Sequence, residues 1–207
     1  MTMLSFVGFI ALSFFAYSTP IWLPEVGITR EIQNGIFRYG EPFLVSVSVL
    51  GGSWVAVASV AVASVLFFAF ALRLEALFAL FILLGDGMIS AIKFIIGRPR
   101  PDSNLVSVIQ PLSDPGFPSI HVFHYVLFFG FLYVYAMLFW KPDRWVQVLL
   151  TVVFFGLIIS VSISRIYLGV HWVSDVVGGF LAGFAMLWLM LHFYLLRKDN
   201  GAVKNTG

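Results

Sequence analysis

Cysteine is absent from this chain of 207 residues, and charged residues are scarce. Without a thiol the protein has neither disulfide bonds nor a thiolate metal site. Charged side chains make up 11% of the residues, against roughly 25% in soluble domains. The formal net charge is only +2 and no basic run occurs, so we expect no nucleic acid partner.

Apolar residues dominate instead, at 60% of the chain. A soluble core of this size could not hide so much apolar surface, which indicates lipid as the solvent. A helix that crosses a bilayer needs about 20 mostly apolar residues. Six stretches meet this length: about Met3–Leu23, Phe43–Leu72, Ala76–Ile96, Ile120–Trp140, Trp145–Ile163 and Trp172–Leu196. The sequence therefore predicts an all-α fold, a six-span transmembrane helical bundle.

The ends of these stretches carry further predictions. No Lys or Arg precedes the first stretch, so we interpret it as a retained span that stops at Pro24 rather than as a signal peptide. In the second stretch Gly51-Gly52-Ser53 marks a kink or the true helix start. Residues 1–197 then form one membrane-embedded domain, and residues 198–207 form a polar tail that we predict to be disordered.

The segment Pro24–Glu41 joins the first two spans and mixes isoleucines four apart with charged residues. Two interpretations stay open for it. The spacing is typical of an amphipathic turn on the membrane surface. A loop with some buried side chains fits equally well.

Lysine and arginine near the span ends set the orientation of a membrane protein. An even number of spans puts both termini on one face. Basic residues on that terminal face are Arg73, Lys141, Arg144, Arg197, Lys198 and Lys204, and those on the other face are Arg30, Arg38, Lys93, Arg98, Arg100 and Arg165. If Lys93, Arg100 and Arg165 have a chemical role, they do not count as markers of orientation. More of the remaining basic residues then lie on the terminal face, which favours cytoplasmic termini. The short chain favours a bacterial inner membrane protein whose other face is extracytoplasmic.

Three polar clusters lie on that other face, where polar groups beside lipid are costly. The first is Lys93, six residues, then Arg100-Pro101. Proline fixes φ and stiffens the segment that carries Arg100. Lysine and arginine suit phosphate oxygens as a point charge and a planar fork. Taken alone, a basic patch that contacts lipid head groups fits at least as well.

The second cluster, Pro118-Ser119-Ile120-His121, opens the fourth predicted span. Proline and serine favour a helix start. Free backbone N–H groups and the positive end of the dipole make a helix N-terminus an anion site. His121 in the first turn could donate a proton, although for this cluster taken alone an ordinary N-cap beside a histidine is the better explanation.

The third cluster is Ser164-Arg165, five residues, His171, three residues and Asp175. Residues four apart share a helix face. A carboxylate that accepts one ring N–H fixes the tautomer and leaves the other nitrogen free to attack. A structural hydrogen bond gives the same spacing, but the position at a transmembrane helix start favours a functional role.

Together the clusters supply three cations, one helix N-terminus and two histidines, which suits phosphoryl transfer without a metal. They resemble the three signature motifs of the type 2 phosphatidic acid phosphatase superfamily. Lys, six residues, Arg-Pro matches Lys93 to Arg100-Pro101, and the third motif matches from Ser164 to Asp175. Pro-Ser-Gly-His matches except at Ile120, which replaces glycine. The order of the motifs and the six-span layout also agree.

The resemblance implies a role for each matching residue. His171 attacks phosphorus and forms a phosphohistidine, Asp175 orients His171, and His121 protonates the leaving oxygen. The phosphate-binding residues are Lys93, Arg100, Ser119, Ile120 and Arg165. No metal and no cofactor are expected. The roles of Ser164 and of Asp86, an acid inside the third span, stay open.

The predicted function is therefore hydrolysis of a membrane lipid phosphate, with the active site at one membrane face. Phosphatidate, phosphatidylglycerophosphate and undecaprenyl diphosphate are the candidate substrates, and the sequence does not decide among them. A lipid phosphotransferase on the same scaffold and an inactive lipid-phosphate-binding membrane protein are the alternatives. The oligomeric state stays unknown.

Overall fold

The computed structural model describes residues 2–204, with the side chains of residues 3–198. Within this part of the chain the secondary structure is entirely helical, which confirms the all-α prediction. Eight α-helices follow one another as α1 Thr2–Ser18, α2 Leu23–Asn34, α3 Glu41–Leu50, α4 Ser53–Ala69, α5 Arg73–Ile96, α6 Ile120–Tyr135, α7 Arg144–Tyr167 and α8 Val173–Lys204. A 3₁₀ turn, Ile36–Gly40, leads into α3, and a π-helical turn, Ala136–Trp140, extends α6.

Among the described residues, four helices are long and apolar enough to cross a membrane by themselves: α5, α6 with its π-helical extension, α7 and α8. Two bent pairs raise the number to six if each pair is one span. The first pair, α1 and α2, bends by 99°, and the second, from the 3₁₀ turn through α4, bends by 61°. Gly51 and Gly52 separate α3 from α4, so the predicted kink is confirmed.

The segment after the first span is a helix rather than a loop, and its position relative to the membrane surface stays a prediction. The helix α1 already ends at Ser18, and Pro24 lies in the first turn of α2, where its missing N–H costs nothing. Pro24 therefore begins a helix instead of ending the first span. α2 buries Glu25, Val26 and Thr29 against the bundle and exposes Ile28, and it packs on α7 and α8.

α6 lies at the centre of the bundle and packs against α5, α7 and α8. Its residues Val122–Phe128 are all buried. α1 packs on α8, α4 on α5, and α3 on α7. Large apolar side chains such as Leu4, Phe14 and Trp145 are exposed on the outer surface, as lipid-facing residues are.

Four helix ends meet at one end of the bundle: the C-termini of α5 and α7 and the N-termini of α6 and α8. Gly97, at φ 65°, turns the chain out of α5, because glycine adopts this left-handed cap without strain. Residues 97–119 then fold back on themselves, and the Gly116 N–H donates to the Arg98 carbonyl oxygen at 2.6 Å. This end carries all three polar clusters.

At the opposite end α8 continues to Lys204, into the segment for which we predict a polar tail. Residues 205–207 of that tail lie outside the described residues. The prediction of disorder there stays a prediction.

Candidate active site

A cavity of about 760 Å³ opens at the end of the bundle where the clusters meet. Six of the eight predicted site residues line it, namely Lys93, Arg100, Ile120, His121, Arg165 and His171. The other two, Ser119 and Asp175, are fully buried directly behind it. The structure thus brings together residues that stand up to 82 positions apart (93 to 175) in the sequence.

His171 lies in the short connection between α7 and α8, two residues before α8 begins, and is buried. Its Nδ1 faces Oδ2 of Asp175 at 3.4 Å, slightly longer than a normal hydrogen bond. The same Oδ2 accepts a 2.9 Å hydrogen bond from the backbone N–H of Trp172. Nε2 of His171 lies 3.3 Å from Nη1 of Arg100, so this nitrogen faces the cations.

The surroundings of His171 disfavour its charged form. Burial is the largest cause and lowers its pKa well below the usual 6.5, and the positive charges of Arg100, Arg165 and Lys93 lower it further. The imidazole is therefore neutral near pH 7 and keeps a lone pair on the nitrogen that faces the cavity.

Asp114, which the sequence analysis missed, holds two of the three predicted phosphate-binding cations. Lys93 forms an ion pair with its Oδ2, and Nη2 of Arg100 donates to its Oδ1 at 2.9 Å. Burial raises the pKa of Asp114, but the adjacent Lys93 and Arg100 outweigh burial and hold the pKa below its usual value. Asp114 belongs to no motif, and only its place in the loop next to both cations reveals it.

Arg165 is the predicted phosphate-binding cation whose hydrogen-bond donors are partly unpaired. It is fully buried, and Nη1 donates to Oγ of Ser48 on α3. Its Nε and Nη2 have no hydrogen-bond partner within the described part of the chain. Buried guanidinium donors are almost always paired in folded proteins, so the N–H groups of these two nitrogens are available to an anion in the cavity.

The second cluster opens α6 as predicted. Ser119 occupies the N-cap position with extended backbone, but its hydroxyl makes no capping bond and has no partner among the described side chains. Ile120 is the first helical residue, and it is not among the described residues with positive φ, which are Ala71, Lys141, Gly97 and Gly169. This backbone therefore does not need the glycine that Ile120 replaces.

The kink between α3 and α4 makes room for His121. A Cβ atom added to Gly51 would lie 2.7 Å from Cδ2 of His121, closer than real contacts allow. The glycines that we identified only as a helix break therefore let the α3–α4 connection approach the ring of a predicted catalytic histidine.

Arg98 connects the site to α2, and the sequence analysis counted it only as a marker of orientation. Its Nη1 donates to Oδ1 of Asp175 at 2.6 Å and its Nη2 to Oε2 of Glu25 at 2.8 Å. Glu25 also accepts a 2.5 Å hydrogen bond from the N–H of Ser174. All of these side chains are buried, so Arg98 belongs to the interior of the protein rather than to its surface.

Two residues whose roles were open now have partners. Oγ of Ser164 donates to the carbonyl oxygen of Leu44 at 2.6 Å, which ties α7 to α3 away from the cavity. Oδ2 of Asp86 lies 2.9 Å from Nδ1 of His124, and both residues line the cavity. Among the described residues, no group of three or more His, Cys, Asp or Glu side chains could hold a metal ion.

The fold defines an all-α integral membrane protein with its polar cavity at one end of the bundle. The chain belongs to the PAP2 superfamily, whose family model matches residues 75–199. This confirms the resemblance seen in the motifs. The matched range contains all eight predicted site residues.

The fold is also similar to a solved structure, the crystal structure of the first transmembrane PAP2 type phosphatidylglycerolphosphate phosphatase from Bacillus subtilis. The TM-score is 0.77 at 22% sequence identity, and the match covers 93% of this chain and 94% of that chain. No curated protein matches the chain.

Proposed function

We propose that this protein is a membrane phosphatase that hydrolyses a phosphomonoester or diphosphate of a lipid through a phosphohistidine on His171. The observation that carries the proposal is that His171, His121 and three cations line one cavity, with two donors of Arg165 unpaired. Membership in the PAP2 superfamily supports it.

We propose a part in the reaction for each of these residues. Arg165, Lys93 and Arg100 neutralise the phosphate, and Ser119 and the first N–H groups of α6 add donors. Lys93 and Arg100 exchange Asp114 for phosphate oxygens. Nε2 of His171 attacks phosphorus while the ester P–O bond breaks and its electron pair goes to the leaving oxygen. His121 gives that oxygen a proton.

A second displacement completes the cycle. His121, now neutral, takes a proton from water, and the water oxygen attacks the phosphohistidine. The P–N bond breaks, its electron pair returns to Nε2, and inorganic phosphate leaves. Throughout both steps Asp175 stabilises the positive charge that develops on His171, because its Oδ2 faces Nδ1.

A lipid substrate fits the position of the cavity. Trp54 and Val57 of α4 line the cavity and are also exposed on the outer surface, by 87% and 46%. The cavity therefore reaches the lipid-facing side of the bundle, where a lipid can enter by lateral diffusion. The similar Bacillus subtilis structure, a phosphatidylglycerolphosphate phosphatase, supports the same substrate class.

We further propose that the cavity faces the outside of a bacterial inner membrane. Burial of Arg98 removes one more basic residue from the cavity face in the count of orientation markers. Arg30 and Arg38 then remain as markers near the cavity face. Six basic residues lie near the other face, which is therefore the cytoplasmic one by this count, namely Arg73, Lys141, Arg144, Arg197, Lys198 and Lys204.

Phosphate release by the purified protein tests the proposal on phosphatidate, phosphatidylglycerophosphate and undecaprenyl diphosphate. We expect release from at least one lipid, at a rate that EDTA does not change. Addition of a hydroxylated acceptor lipid separates a hydrolase from a phosphotransferase, since only the latter labels the acceptor. Binding of all three lipids without any phosphate release would favour the inactive lipid-binding protein.

A further inference from the structure

Asp86 and His124 form a polar pair inside the membrane-spanning part of the bundle that the proposed reaction does not use. Asp86 lies in the middle of α5 and His124 in the second turn of α6. Ionisable residues at such a depth are rare and mark functional sites by default. Their side chains are 18% and 2% exposed, and both line the same cavity as the phosphate-binding cations.

The pair lies deeper in the membrane than the phosphate site. α5 rises by about 1.5 Å per residue, so Asp86 lies roughly 10 Å from Lys93 along the helix axis. Along α6, His124 lies about 4.5 Å beyond His121. Asp86, Ser90 and Lys93 all line the cavity from one face of α5. A lipid whose phosphate contacts Lys93 and His121 and whose alcohol extends inward along α5 brings that alcohol beside Asp86 and His124.

The hydrogen bonding of Asp86 is incomplete. Oδ2 lies 2.9 Å from Nδ1 of His124, but Oδ1 is buried and has no hydrogen-bond partner among the described residues. A buried carboxylate oxygen without a donor costs free energy, and such a group in a native protein needs an explanation. A hydroxyl group of the substrate can supply this donor, whereas ionised phosphate oxygens can only accept.

We propose that Asp86 and His124 form a subsite that binds a free hydroxyl group on the leaving alcohol of the substrate. This inference rests on the proposed phosphatase function and narrows its substrate to a phosphomonoester whose alcohol carries a hydroxyl next to the ester carbon. Phosphatidylglycerophosphate has such a hydroxyl on its glycerol. Phosphatidate has none, and a diphosphate offers only acceptor oxygens at that position.

The first test changes the substrate and leaves the protein intact. Purified wild-type protein is assayed with phosphatidylglycerophosphate and with its deoxy analogue, in which hydrogen replaces the free glycerol hydroxyl. We expect kcat/KM to be about tenfold lower for the analogue, the effect of one hydrogen bond to a charged group. Equal values would overturn the subsite, and so would phosphate release from phosphatidate or undecaprenyl diphosphate but from neither of these two lipids. No phosphate release from any of the lipids would overturn the proposed function itself.

The second test asks whether Asp86 is the residue that binds the hydroxyl group. The readout is kcat/KM for phosphatidylglycerophosphate divided by kcat/KM for the deoxy analogue. This ratio should fall from about ten to about one in Asp86→Ala. It should fall to about three in the more conservative Asp86→Asn, because a neutral acceptor forms a weaker hydrogen bond. Asp143→Asn is the matched control. Asp143 caps α7 at the far end of the bundle by accepting from the N–H of Trp145 at 3.0 Å, and asparagine caps equally well.

Asp143→Asn should keep the wild-type ratio. A tenfold ratio that persists in both Asp86 variants would show that the hydroxyl is bound elsewhere and would overturn the proposal. If Asp86→Ala does not fold, Asp86→Asn and the wild-type comparison still decide the outcome.

Discussion

Arg98 donates a 2.6 Å hydrogen bond from Nη1 to Oδ1 of Asp175, and neither side chain is exposed. The other carboxylate oxygen of Asp175 faces His171. On its far side Arg98 pairs with Glu25 of α2 at 2.8 Å. A row of four side chains thus runs from α2 to the proposed nucleophile, and we infer that Arg98, at the centre of the row, is a positioning residue.

Substitution of Arg98 tests this row. Arg98→Ala would leave two buried carboxylates without a counter-charge, which costs about 3–5 kcal/mol for a broken buried pair, so we expect a large fall in Tm. Arg98→Lys keeps the charge but cannot bond Asp175 and Glu25 together, because it lacks the planar fork. Its kcat should fall at least tenfold with little change in KM.

Arg38→Lys is the matched control, since Arg38 is exposed and its guanidinium donates to the hydroxyl of the neighbouring Tyr39. It should behave as the wild type. If Arg98→Lys instead raised KM at constant kcat, Arg98 would act on substrate binding and not through His171.

The two histidines that we assign to the reaction, His171 and His121, should be needed for different steps. His171→Ala should abolish turnover and phosphoenzyme formation, and His121→Ala should slow turnover by about 10²–10⁴-fold, the usual value of general acid–base catalysis. Acid-labile phosphate on the protein, trapped by rapid mixing with labelled substrate, measures the first step. His192→Ala should retain activity, because His192 is exposed and stacks on Trp188 outside the cavity. Near-normal turnover by His171→Ala would contradict the proposed mechanism.

The acid limb of the pH profile should report His171. Burial and the neighbouring cations lower its pKa, so the reactive neutral form persists below pH 6.5 and is lost only as the pH falls through the lowered value. Removal of one positive neighbour raises that pKa. In Arg100→Gln the acid limb of kcat/KM should therefore move to higher pH, in addition to a general loss of activity. Wild type and Arg100→Gln are assayed with the same substrate, so ionisation of the substrate affects both pH profiles equally. An acid limb at the same pH in both proteins would contradict its assignment to His171.

Single cysteines can report the orientation of the protein, since the chain has no native cysteine. Asn104 is exposed in the loop beside the cavity. A cysteine there should react with an impermeant thiol reagent in intact cells, because the basic residues favour cytoplasmic termini. A cysteine at Asn200 should react only after the cells are opened. The reverse pattern would place the cavity in the cytoplasm and change the available substrates.

Ile120 is the one departure from the family motif, and its helical backbone indicates that isoleucine is tolerated. Its side chain lines the cavity and packs against a buried apolar cluster that includes Phe123 and Leu127. Ile120→Gly should keep activity but change the preference among lipids, and should lower stability by about 1 kcal/mol or more through helix entropy and lost packing. A wild-type protein that is inert on every lipid phosphate and becomes active in Ile120→Gly would show that isoleucine blocks the site.

Local patterns in the sequence were enough to predict much of this protein. A run of apolar residues long enough for a bilayer has few alternatives to a helix. The predicted stretch Ile120–Trp140 therefore matches a helical segment at both ends, and Ala76–Ile96 ends with α5, which begins three residues earlier. The three motifs have fixed spacings. They identified the family and six of the residues that line the cavity, because chemistry that needs several groups at once constrains their order.

The partners of those residues were decided by the tertiary structure alone. Glu25 meets Arg98 only because the chain bends by 99° after α1, and no local pattern encodes that contact across 73 residues. Asp114 reaches Lys93 and Arg100 because the loop folds back over the helix ends, and Asp86 finds His124 because α5 packs against α6. Charge pairing depends on distance in space, which a sequence read residue by residue does not contain.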